Sequence, residues 1–150
     1  LGLYTYQPDP ATDRYPLALI SPSNEKAISS SLYELVRRTA ALTIHPDDAH
    51  AREIGEGDTV RVFNELGTVT CHAAVSPAVR PGTVALPKGL WSRHTLNGST
   101  ANALAPDTLT DIGAGACFND ARVQVERVSG AAGDSAADLA PDTPVLDTLH

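Results

Sequence analysis

The longest strand-like segments of this chain alternate apolar and polar residues. Thr59-Val60-Arg61-Val62-Phe63, Thr68-Val69-Thr70-Cys71-His72-Ala73-Ala74-Val75 and Arg122-Val123-Gln124-Val125-Glu126-Arg127-Val128 place alternate side chains on one face. A period of two is the period of a strand. Leu66-Gly67 separates the first two runs, which read as a hairpin. Three shorter runs complete the set. Leu17-Ala18-Leu19-Ile20 stops at Ser21-Pro22, Ala41-Leu42-Thr43-Ile44 is a second short strand, and Thr83-Val84-Ala85-Leu86 lies between the Arg80-Pro81-Gly82 turn and Pro87. Short strands with little helix between them point to a small, mainly β barrel, because closure hides the strand edges.

Helical signals are brief. Residues 30–38 (SSLYELVRR) have the spacing for about two turns, with Leu32, Leu35 and Val36 on one face. Pro46 suits the first position of a second helix, where its missing N–H costs nothing. Asp47 and Asp48 then oppose the positive end of the helix dipole, and Gly55 is the expected C-terminal stop. Residues 88–120 are loop-rich and hold Trp91, Asn97 and Asn102.

Composition excludes several classes. The 150 residues suit one domain. The 11 glycines and 11 prolines are scattered, which rules out collagen-like and Pro-rich chains. No run approaches the roughly 18 apolar residues of a membrane span, and the start lacks a signal-peptide pattern, so the expected location is cytoplasmic. The two cysteines, Cys71 and Cys117, cannot build a disulfide framework or a four-cysteine metal site. The net charge of −7 is uneven: residues 129–150 contribute −4 and residues 16–128 only −2, with no basic stripe for nucleic acid. The chain contains no methionine, position 1 included, and reads as a piece of a longer product. The expected organisation is a lead-in over 1–14, a domain over 15–128, and a disordered acidic tail over 129–150, which holds few large apolar side chains.

Five motifs occur in order. They are Tyr15-Pro16-Leu17-Ala18-Leu19-Ile20-Ser21-Pro22; Ile44-His45-Pro46-Asp47-Asp48-Ala49 followed by Ile54-Gly55-Glu56-Gly57-Asp58-Thr59-Val60-Arg61-Val62; Val79-Arg80-Pro81-Gly82 through Trp91; Asn102-Ala103-Leu104 through Asp111; and Phe118-Asn119-Asp120-Ala121-Arg122-Val123. Together they resemble the C-terminal molybdopterin dinucleotide-binding domain of the dimethyl sulfoxide reductase superfamily, with the detail of formate dehydrogenase-like and nitrate reductase-like members. The resemblance implies a double-psi β-barrel of six strands with one or two short helices. It implies that the domain helps to bind molybdopterin guanine dinucleotide carrying molybdenum or tungsten, in a larger oxidoreductase whose other domains are its partners. The domain alone is then a monomer, without activity or a metal of its own.

Candidate contacts follow from the resemblance and from side-chain chemistry. Ser21, Ser23, Lys26, Ser29, Ser30 and Ser31 lie in one polar loop after the first strand, where hydroxyls, backbone N–H groups and an ammonium can hold phosphate oxygens. The alternative is a loop whose serines cap a helix. Asn102 offers a donor and an acceptor to a pterin edge, or else forms a turn. Trp91 either walls the cofactor by stacking or fills the core. Asp120, beside Asn119, either pairs with an amino-pyrimidine edge or makes the turn into the last strand. Arg122 points outward as a surface or ion-pairing residue. Cys71 reads as a small buried residue. Cys117 is not a metal ligand, and the histidines have structural roles.

Rival readings are a free-standing double-psi barrel, like the small subunit of formylmethanofuran dehydrogenases, and a protein-binding barrel, like the N-terminal domains of some ATPase chaperones. Gly98-Ser99 raises self-cleavage, as in pyruvoyl-dependent aspartate decarboxylases, but reads better as a flexible turn.

Overall fold

The computed structural model describes residues 13–23, 27–35, 38–109, 113–117 and 119–128. Lys26 and the acidic tail 129–150 lie outside the described residues, as does most of the lead-in. Six strands close into a barrel: β1 (Leu17–Ile20), β2 (Ala41–Ile44), β3 (Thr59–Phe63), β4 (Thr68–Val75), β5 (Thr83–Ala85) and β6 (Ala121–Arg127), in the order β1-β5-β2-β4-β3-β6. Two contacts, β1–β5 and β2–β4, are parallel, and the other four are antiparallel. This order and these directions map onto themselves when β1, β2 and β3 exchange with β4, β5 and β6. Two interlocked halves of this kind form the double-psi barrel.

Alternation builds the core. Leu17 and Leu19, Leu42 and Ile44, Val60 and Val62, Val69, Cys71 and Ala73, Val84, and Ala121, Val123 and Val125 all point inward. Leu86, Leu104, Ala49 and Ile54 join this cluster from outside the strands. Each buried Val or Leu stabilises the fold by about 1.5–3 kcal/mol.

The described residues contain one α-helix, α1 (Pro46–His50), with Pro at its first position and His45 as its N-cap, accepting from the Asp47 N–H. Gly55 is not its stop. The helix ends five residues earlier, Glu53 takes the left-handed conformation (φ +55°), and the Gly55 N–H donates to Asp58. Among the described residues of the expected helix over 30–38, only Tyr33–Leu35 are helical, as a 3₁₀ turn. Ser29 (φ +52°) and Leu32 (φ +68°) break any continuous helix. Tyr33 takes the buried place, while Leu32 and Leu35 face solvent. Val36 lies outside the described residues. The strands follow the sequence pattern closely, with β5 ending at Ala85 and β6 beginning at Ala121.

The acidic motif residues cross-link the end of the barrel that carries α1. Asp48, on α1, accepts the Gly82 N–H at 2.7 Å, tying the helix to the turn before β5. Asp58 accepts from Gly55 at 2.8 Å and pairs with Arg127 at 3.1 Å. Glu56 accepts the Val75 N–H at 2.6 Å.

Candidate functional site

Strand direction decides which loops meet. The C-terminal ends of β1, β3 and β5 and the N-terminal ends of β2, β4 and β6 share one end of the barrel. That rim therefore gathers the described parts of the segment 21–40 and of the long connection 86–120, with the hairpin turn 64–67. Ser21, Ser23, Ser29, Ser30, Ser31, Trp91, Asn102 and Asp120 all sit on these rim segments. The turns at the other end, 45–58 and 76–82, hold α1 and the acidic cross-links.

The rim loops are tied to one another. Leu86 N–H donates to Ile20 and Lys88 N–H to Pro22, each at 3.0 Å, extending the β1–β5 pairing into the loops. The Ser21 N–H donates to Asn119 Oδ1 at 3.1 Å, joining the start of the first loop to the end of the last. Ile28 and Ser31 bond to each other across a tight turn centred on Ser29 and Ser30. Gly89 packs against the back of that turn: a Cβ there would collide with the Ser29 carbonyl and lie 2.8 Å from the Ser30 nitrogen. Gly89 also has φ +76°, so glycine is required twice over.

Trp91 is on the rim, not in the core, and remains 36% exposed. Its indole N–H donates to the Ser30 carbonyl at 2.8 Å. The Arg93 guanidinium stacks over the ring at 4.6 Å and donates to the Tyr33 carbonyl at 3.1 Å. His94 is buried behind them. Its Nδ1 accepts the Trp91 N–H at 3.2 Å, its carbonyl accepts the Ala40 N–H, and its ring packs 5.1 Å from that of Tyr33.

Asn102 lies in a 3₁₀ turn, Ala101–Ala103, with its side chain exposed. The neighbours fix this turn in place. Ala101 is buried, and Gly67 approaches the Ala103 carbonyl so closely that a Cβ would stand 2.6 Å from it. Asn64 adds hydrogen bonds to the carbonyls of Leu104 (2.8 Å) and Arg122 (3.2 Å).

Asp120 is exposed, and its N–H donates to the Cys117 carbonyl at 3.0 Å. With Tyr15, Asn64, Pro106 and Arg122 it lines a hollow of about 180 Å³ beside the rim. Arg122 is half-buried there rather than fully outward. Desolvation, then the Asp120 carboxylate, raises the Cys117 thiol pKa. Gly98-Ser99 forms a turn, with the Ser99 N–H donating to Asn97 Oδ1 at 3.3 Å.

The sequence reading singled out the exposed groups but missed most of the groups that hold them. Asn64, Arg93, His94 and Asn97 bridge segments far apart in the chain. Of these anchoring groups, only Asn97, in the loop-rich stretch, and Asn119, beside Asp120, were marked by the sequence.

A profile of the molydopterin dinucleotide binding domain matches residues 20–122, which span all the rim segments. The chain belongs to this family. It is 34% identical over 132 residues to the probable oxidoreductase YoaE of Bacillus subtilis, covering 85% of this chain and 19% of that protein. It is 33% identical to the dimethyl sulfoxide reductase DmsA of Escherichia coli, covering 85% of this chain and 16% of that protein. It is 34% identical to the trimethylamine-N-oxide reductase of Haemophilus influenzae, covering 81% and 17%. The chain thus spans less than a fifth of each of these relatives. Among solved structures, acetylene hydratase from Pelobacter acetylenicus shares the fold, with a TM-score of 0.65 at 15% identity over 76% of this chain and 18% of that one.

Proposed function

We propose that this molydopterin dinucleotide-binding domain holds molybdopterin guanine dinucleotide on its rim, within a larger molybdenum or tungsten oxidoreductase. The observation that carries the reading is the convergence of the three rim segments, within the span matching the family, on one end of a closed barrel. The groups there fit a dinucleotide. Exposed hydroxyls of Ser23, Ser29, Ser30 and Ser31, on the same rim as Lys88, suit a pyrophosphate. The half-exposed indole of Trp91 suits a flat heterocycle. The Asn102 carboxamide and Asp120 carboxylate suit the amino-pyrimidine edge shared by guanine and pterin.

When bound, the pterin would supply the sulfur ligands of the metal on which the parent's redox chemistry takes place. This chain's part is to bind and orient, and it is not catalytic alone. The sulfoxide and N-oxide reductases among the relatives point to an oxygen-bearing substrate for the parent. The test is the nucleotide and metal content of the purified parent enzyme. Guanine nucleotide released on hydrolysis, together with molybdenum or tungsten, is the expected result. A metal-loaded enzyme without nucleotide would overturn the reading. The 150-residue chain alone should bind the dinucleotide weakly, because it supplies one wall of the site. Nanomolar affinity would favour a free-standing subunit instead.

A further inference from the structure

The rim stretch that carries Trp91 and Asn102 is anchored to β4 through Asn97. Its Oδ1 accepts the Thr70 N–H and its Nδ2 donates to the Thr68 carbonyl, both at 3.0 Å. The Leu96 N–H adds a bond to the Thr70 carbonyl at 2.8 Å. The carboxamide thus serves the β4 edge as the peptide group of another strand would. Asn97 is nevertheless exposed, and the residue after it is Gly98.

We infer that Asn97 is a deamidation site gated by the fold. The chemistry needs only water. The Gly98 amide nitrogen loses its proton to hydroxide and bonds to Asn97 Cγ. The Cγ–Nδ2 bond breaks, and ammonia leaves with a proton from solvent. Water then opens the cyclic imide at either carbonyl, giving Asp or isoAsp. A glycine next in the chain leaves the attacking nitrogen uncrowded. Asn24, Asn64, Asn102 and Asn119 are followed by Glu25, Glu65, Ala103 and Asp120, whose side chains hinder the same attack.

Gating follows from the latch. Ring closure requires the Asn97 side chain to rotate off Thr68 and Thr70, so the reaction runs from the state in which the loop has lifted from β4. Once complete, it prevents the latch from re-forming. A carboxylate oxygen then faces the Thr68 carbonyl, acceptor against acceptor, and isoAsp also inserts a methylene into the main chain. The segment between Trp91 and Asn102 loses its anchor near the midpoint, so deamidation irreversibly loosens the rim.

The test follows conversion at Asn97 by peptide mass spectrometry during incubation of the chain in alkaline buffer, with and without denaturing urea. Conversion should be at least about tenfold slower in the native chain, a decade for each ~1.4 kcal/mol of loop opening. Asn64, Asn102 and Asn119 should remain amides as internal controls. Asn97→Asp should raise hydrogen exchange at the Thr70 and Leu96 amides by about tenfold or more. If that variant fails to fold, aged wild-type protein separated by charge serves for the same measurement. Equal rates with and without urea, or unchanged exchange at Thr70 and Leu96, would overturn the inference.

Discussion

Replacing Gly89 with alanine should separate the two central rim loops while leaving the barrel intact. Two costs arise at this position. A left-handed alanine is less favourable by about 1–2 kcal/mol, and Gly89 has φ +76°. The added Cβ also meets backbone, namely the Ser29 carbonyl and the Ser30 nitrogen at 2.8 Å, where ordinary contact begins at 3.4 Å. Backbone cannot rotate aside, so the turn over Ser29 and Ser30 must move away. That movement breaks the 2.8 Å bond from the Trp91 indole to Ser30, worth about 1 kcal/mol. The total is about 2–3 kcal/mol, or roughly 8–12 °C of melting temperature at about 4 °C per kcal/mol for a domain of this size. Parting of the loops relieves the clash itself, so the total counts only the left-handed alanine and the lost bond. Trp91 is the only tryptophan, so the emission comes from this side chain alone. Gly89→Ala should red-shift the emission, increase quenching by a neutral quencher and leave the far-ultraviolet spectrum of the barrel unchanged. Unaltered emission together with an unaltered melting temperature would show that the two loops do not touch as described.

Asn102→Ala in the intact parent should weaken cofactor retention by roughly five- to over a hundredfold, from the 1–3 kcal/mol lost when a buried partner goes unpaired. The isolated domain's melting point should hold, because the side chain is exposed; unchanged metal occupancy with a lowered melting point would make Asn102 a turn residue only. Asp48→Ala removes the 2.7 Å charge-assisted bond to Gly82 at the opposite end of the barrel. It should cost about 1.5–3 kcal/mol without shifting Trp91 emission, and a shift would show that the two ends are coupled. Burial raises the Cys71 thiol pKa from 9.0 to about 11. Its contribution is therefore complete below pH 9.0 and lost as pH rises through about 11, at about 1.4 kcal/mol per pH unit. Melting curves of wild type and Cys71→Ala across this range should converge with rising pH, and parallel curves would refute the assignment.

Much of the barrel is determined by local sequence. The alternation in residues 59–63 and 68–75 sets β3 and β4 to the residue, and Pro46 marks the start of α1. These features follow from side-chain period and turn chemistry, which act over a few residues. The polar rim loop, Asn102 and Asp120 could likewise be recognised from residue type and motif order. What the tertiary structure alone decided is adjacency. The parallel pairing of β1 with β5 and the bond from Ser21 to Asn119, 98 residues apart, leave no periodic trace in the chain. Barrel closure also settled the local ambiguities. It placed Tyr33 rather than Leu35 inside, turned the chain at Leu32 within the expected helix, and set Trp91 on the rim against Ser30 and Arg93. A short amphipathic run or a lone tryptophan fits several environments equally well, and only the packing of distant segments selects one of them.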